Sequence, residues 1–129
     1  EMSMQRATGI GRIFFKSRDP KALGAWYRDH LCLDVTDWGG VVFQWGGPGS
    51  PPGMTLWSPF AQDTDYMAPS TSSFMINFRV DDLDALLEAL RQEGCNVVDK
   101  TDSSDQGKFG WVIDPEGNKV ELWQPPAGQ

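Results

Sequence analysis

One histidine and two cysteines in 129 residues leave little material for a conventional metal centre. Cys32 and Cys95 share no metal-type spacing with each other or with His30. They read as free thiols, buried or half-buried. Basic residues are also scarce. Eleven Lys and Arg against eighteen Asp and Glu give a formal charge of −7, the wrong sign for holding a nucleic-acid backbone. No run approaches the ~20 apolar residues of a membrane span, and "EMSMQRATG" has no apolar core of a signal peptide, so a cytoplasmic protein is expected.

What is present is a packed-core composition, 40% hydrophobic and 12% aromatic with six tryptophans. A single domain of this length can bury roughly two-thirds of its unfolded surface. The chain also repeats itself. "RIFFKSRDPKALGAWYRDHLCLDV" from Arg12 lies over "MINFRVDDLDALLEALRQEGCNVV" from Met75, which aligns Ile13 with Ile76, Phe15 with Phe78, Asp19 with Asp82 and Cys32 with Cys95. Further on, "TLWSP" (55–59) is aligned with "ELWQP" (121–125) by widening the offset three residues.

Each copy starts with an alternating strand, marked by Ile13 and Phe15 or by Ile76, Phe78 and Val80. A helix follows, opened by Asp19-Pro20 in the first copy and by Asp81 or Asp82 in the second, where Leu83, Leu86, Leu87 and Leu90 form a stripe ending at Gly94. Three more strands are expected after each helix. The modules span about 8–57 and 74–125, and a polar connector (58–73) joins them.

Alternation assigns faces. If the helices cover Ile13, Phe15, Ile76, Phe78, Val80, Val120 and Leu122, the opposite face gathers Arg12, Phe14, Met75, Asn77, Arg79, Glu121 and Trp123. Across the "DPEGN" turn, Trp111 faces Glu121 and Val112 faces Val120. By repeat, Thr55 and Trp57 join the Arg12 face.

The tandem repeat, with "RDPKALGAWYRDHLCL", "FRVDDLDALLEAL" and above all "FGWVIDPEGNKVELWQP", resembles the vicinal oxygen chelate superfamily of glyoxalase I, extradiol dioxygenases and bleomycin-resistance proteins. The resemblance implies an α+β fold, in which tandem βαβββ modules form a curved mixed sheet around a cleft with the helices outside, commonly as a homodimer. It implies metal ligands on the first and last strands of the modules. Those places fall at Arg12, Thr55, Met75 and Glu121, and only Glu121 is an expected ligand type.

No cofactor is therefore expected, and Glu121 is the metal ligand if there is one. A small organic molecule is the expected partner, planar or cationic, contacting Arg12, Phe14, Gln44, Thr55, Trp57, Met75, Asn77, Trp111 and Trp123. Glu121 is the candidate catalytic residue. Beside tryptophans its pKa would rise towards that of a general base, whereas pairing with Arg12 would lower it. The alternatives are a divalent-metal lyase or dioxygenase with Gln44 or Asn77 as added ligands, and an interaction module whose cleft is filled by its own side chains. "GGPGSPPG" (46–53) reads as a hairpin tip and "DKTDSSDQG" (99–107) as a solvated loop.

Overall fold

The computed structural model describes residues 6–46, 48–49 and 52–129. The first half consists of β1 (Ala7–Ser17), α1 (Pro20–Leu31), β2 (Val41–Trp45) and β3 (Gly53–Ala61). The second consists of β4 (Phe74–Val80), α2 (Leu83–Gln92), β5 (Asn96–Val97), β6 (Asp102–Ser104), β7 (Gly107–Ile113) and β8 (Lys119–Gln124). All the strands belong to one mixed sheet in the order β2-β3-β1-β4-β8-β7-β5, with β6 also pairing to β7. The expected α+β fold of two repeated modules on one mixed sheet is present, although among the described residues two strands follow the first helix and four the second, where three each were expected. In the first copy, residues 33–37 form loop and turn where the second has β5.

Local chemistry explains both helices. Asp19 caps α1 by accepting from the Ala22 amide at 3.0 Å, and Asp82 caps α2 by accepting from the Ala85 amide at 3.1 Å. At the other ends, Cys32 takes a left-handed conformation with φ 58°, and Gly94 does so with φ 81°. The helix stop thus aligns Cys32 with Gly94. Cys95, its mate in the sequence alignment, stands one residue beyond the stop. Both cysteines are exposed, not buried or half-buried, because each sits where its chain leaves the sheet-facing helix.

The sheet separates two apolar layers. On the helix side, Val80 and Leu122 pack with Leu83, Leu86 and Leu87 of α2. On the other, Phe14, Met67, Met75, Phe109, Trp111 and Trp123 form a second cluster. The alternation expected for β1, β4 and β8 is observed, and the cross-strand pairs Trp111–Glu121 and Val112–Val120 are present.

β3 is the exception. β1 pairs with β3 so that Phe14 meets Ser58, and β4 pairs with β8 so that Asn77 meets Glu121. Since Arg12 pairs with Asn77 and Phe14 with Met75, the two halves keep a constant offset, and the counterpart of Glu121 is Ser58. The three-residue widening that aligned Thr55 with Glu121 is therefore corrected. An odd slip exchanges the faces of a strand. Trp57 accordingly lies on the helix side, with its ring 4.8 Å from Tyr27 of α1 and 5.1 Å from Phe15. β3 also runs on to Ala61, so the first residues assigned to the connector are strand.

Candidate functional site

The face opposite the helices forms a half-open cavity of about 530 Å³. Its walls come from alternate residues of β3 (Met54, Leu56, Ser58, Phe60), from Gly11, Arg12 and Phe14 of β1, from Trp38 and Val42, and from Tyr66 and Trp123. Gly11 makes room for the layer beneath. A β-carbon there would collide with Asn77 Oδ1 and stand 2.8 Å from a Trp123 ring carbon.

Glu121 lies below that wall, with no exposed surface. Asn77 Nδ2 donates to its Oε2 at 2.6 Å, and Trp111 Nε1 donates to its Oε1 at 3.0 Å. The Tyr66 hydroxyl donates to the same Oε1 in a very short hydrogen bond. Three neutral donors thus satisfy both carboxylate oxygens, as a buried anion requires. Among the described residues, Asn77 Oδ1 is left buried without a partner.

Tyr66 was invisible to sequence reasoning because it belongs to the connector, whose composition marks a loop. The one available signal is its place as an aromatic among polar residues. Burial pushes the Tyr66 phenol well above its usual range, and the neighbouring Glu121 charge and hydrogen bond push it the same way. At neutral pH the phenol keeps its proton, which is committed to the carboxylate. Lys119 secures the same residue from β8, donating to the Tyr66 carbonyl at 2.9 Å.

Arg12 does not pair with Glu121; no ion pair links them among the described residues. Its guanidinium lies over Trp123 (4.6 Å to the ring centre) and Phe109 (5.0 Å), held there by cation–π attraction. Burial lowers the Arg12 pKa, while Glu121 and then Tyr66 act against that shift.

The other expected residues divide. Phe14 and Trp123 line the cavity with Arg12, and Trp123 also donates to the Gln106 carbonyl at 2.9 Å. Met75, Asn77 and Trp111 are buried, Asn77 and Trp111 bonded to Glu121 and Met75 in the cluster with Phe14 and Trp123. Thr55, Trp57 and Gln44 do not line the cavity. The Thr55 hydroxyl donates to the Ile10 carbonyl at 2.7 Å and accepts from Trp45 Nε1 at 3.0 Å, while Gln44 is exposed on the edge strand β2. His30 is exposed, with its ring 5.0 Å from that of Trp26.

The four first-and-last-strand positions are therefore Arg12, Ser58, Met75 and Glu121. A cation that cannot deprotonate, a hydroxyl, a buried thioether and a carboxylate already holding three hydrogen bonds do not suit a divalent ion. Among the described residues, no three His, Cys, Asp or Glu side chains come together as a metal site. No helix there is long and apolar enough to cross a membrane.

A family model described as a glyoxalase-like domain matches residues 12–123. No curated protein sequence matches the chain. Among solved structures, methylmalonyl-CoA epimerase from Mycobacterium tuberculosis is similar at 19% identity and a TM-score of 0.60, covering 98% of this chain and 93% of the other. A variant of the Streptomyces coelicolor methylmalonyl-CoA epimerase in complex with 2-nitronate-propionyl-CoA is similar at 17% identity and a TM-score of 0.69, covering 95% of this chain and 98% of the other. An NAD-dependent benzaldehyde dehydrogenase structure from Legionella pneumophila is similar at 13% identity and a TM-score of 0.60, covering 89% of this chain and 98% of the other. Likeness at these identities is one of fold.

Proposed function

The chain belongs to the glyoxalase-like domain family of the vicinal oxygen chelate superfamily, and from that premise we propose that its aromatic cleft binds a small organic molecule without a divalent metal. The observation that carries this reading is that Glu121 already accepts three hydrogen bonds: Tyr66, Trp111 and Asn77 use both of its oxygens. A metal would have to break that buried network and would find only Arg12, Ser58 and Met75 at the corresponding positions. The cavity volume of about 530 Å³ suits a small ligand and disfavours an interaction module with a plugged cleft.

The test has two arms. Purified protein should carry no stoichiometric nickel, zinc, iron or manganese, and chelator should leave its melting temperature unchanged. A panel of planar organic compounds should raise that temperature, and Phe60→Ala in the cavity wall should weaken the shift. One tightly bound metal per chain, or chelator-sensitive turnover of a methylglyoxal–thiol adduct or a catechol, would replace this reading with that of a metal-dependent lyase or dioxygenase. Light scattering on the same sample reads the homodimer that the family resemblance implies.

A further inference from the structure

We infer that the cleft selects planar aromatic acids, with the carboxylate of the ligand docked on the guanidinium of Arg12. This rests on the reading of the cleft as a binding site and adds the charge and shape of what it takes.

Arg12 is a cation short of an acceptor. Its place on β1 between Leu56 and Asn77 draws it into the sheet, and the rings of Trp123 and Phe109 lie against it. Stacked rings leave the in-plane N–H donors of a guanidinium free, and those match a carboxylate two at a time. No hydrogen bond or ion pair of Arg12 to a protein acceptor is found among the described residues. Glu121 acts on it through space, yet both Glu121 oxygens are occupied by other donors.

A partly buried charge without a partner is costly, and a bound anion would remove that cost. Trp123 carries a second cation on its ring, since Arg79 lies 5.3 Å from its centre; Arg79 donates from Nη2 to the Gln129 carbonyl, and among the described residues its buried Nη1 has no partner. The chain carries a formal charge of −7, yet the charged side chain that lines this cavity among the described residues is an arginine, Arg12, while Arg79 lies outside it. A ligand in the cavity therefore meets a cationic side chain, with the Glu121 carboxylate buried beneath and already bonded to three other donors.

The surrounding walls set the shape. Phe14, Leu56, Phe60, Met54 and Tyr66 offer flat or apolar surface, which suits a ring.

The test uses three naphthalene probes of nearly one shape, bearing a carboxylate, a carboxamide or an aminomethyl group, titrated near neutral pH by calorimetry. The carboxylate should bind about tenfold or more tightly than the amide, and the amine most weakly. Arg12→Met should abolish the preference for acid over amide while amide binding persists. Arg12→Lys, which keeps the charge but loses the planar fork, should retain part of it. The charge assignment is overturned if amide or amine matches the carboxylate, or if Arg12→Met keeps the preference. If probes of every charge fail to bind, the reading of the cleft as a binding site falls with it. Should Arg12→Met fail to fold, the wild-type ranking and Arg12→Lys still decide.

Discussion

Tyr66 donates a hydrogen bond to Glu121 across the boundary between the connector and the last strand, so the outermost donor of a buried carboxylate also forms part of the cavity wall. Removing that hydroxyl leaves Oε1 with Trp111 alone. Tyr66→Phe should cost about 2 kcal/mol, the usual range for losing a hydrogen bond to a charged group. Urea unfolding with an unchanged slope and a lowered midpoint is the expected record; an unchanged midpoint would remove Tyr66 from the network.

Glu121→Gln should be milder than its burial suggests. A glutamine can keep its carbonyl towards Tyr66 and Trp111, placing its amide towards Asn77. Asn77 has an unpartnered Oδ1 that can turn to accept from that amide. The expected loss is under about 1 kcal/mol, whereas Glu121→Leu strands three donors and should cost about 3 kcal/mol or more. Nearly equal losses in the two variants would refute the flip.

Cys32 holds a left-handed conformation, φ 58°, that glycine adopts without strain. Its counterpart at the second helix stop is already Gly94. Cys32→Gly should therefore stabilise the protein by about 1 kcal/mol, visible as a rise in melting temperature. A fall would show that the thiol contributes more than the backbone costs.

Asp114 opens the turn before β8, accepting from the Asn118 amide at 2.9 Å, from the Asn118 side chain at 3.2 Å and from the Glu116 amide at 2.9 Å. The Asn118 backbone bond is the chief cause holding its pKa below the ordinary 3.8. A depressed acid stabilises the fold above its unfolded pKa, and that stabilisation is lost as pH falls through the folded value. Wild type should thus exceed Asp114→Ala at neutral pH, and the gap should close only below about pH 4. A gap that is constant down to pH 2 would assign the effect to something other than this ionisation.

Much of this arrangement was legible in the sequence because period-two alternation and cap residues act locally. Asp19, Asp82, the face of β4 and the pair Trp111–Glu121 all follow from spacings within a few residues. What failed depends on distant registration. "TLW" and "ELW" look alike, yet strand pairing matches Ser58 with Glu121, and the three-residue difference moved Thr55 and Trp57 to the wrong face. Arg12 and Glu121 share a face, as expected, but opposite charges on one face need not pair when aromatic faces and neutral donors compete for them. The hairpin-tip reading of 46–53 falls partly on residues 47, 50 and 51, which lie outside the described residues.

The connector between the halves supplies Tyr66 and Met67 to the buried side of the sheet, and Lys119 and Asn118 hold it by bonds to the Tyr66 carbonyl and the Ser72 hydroxyl. The seam of a duplicated fold is ordinarily where a chain tolerates being cut, lengthened or given new ends. Here a nick or circular permutation between Asp65 and Ser72 would sever the fastening of the carboxylate cage. A permissive break in this protein belongs at an exposed loop such as Asp99–Thr101, which lies outside the interior network.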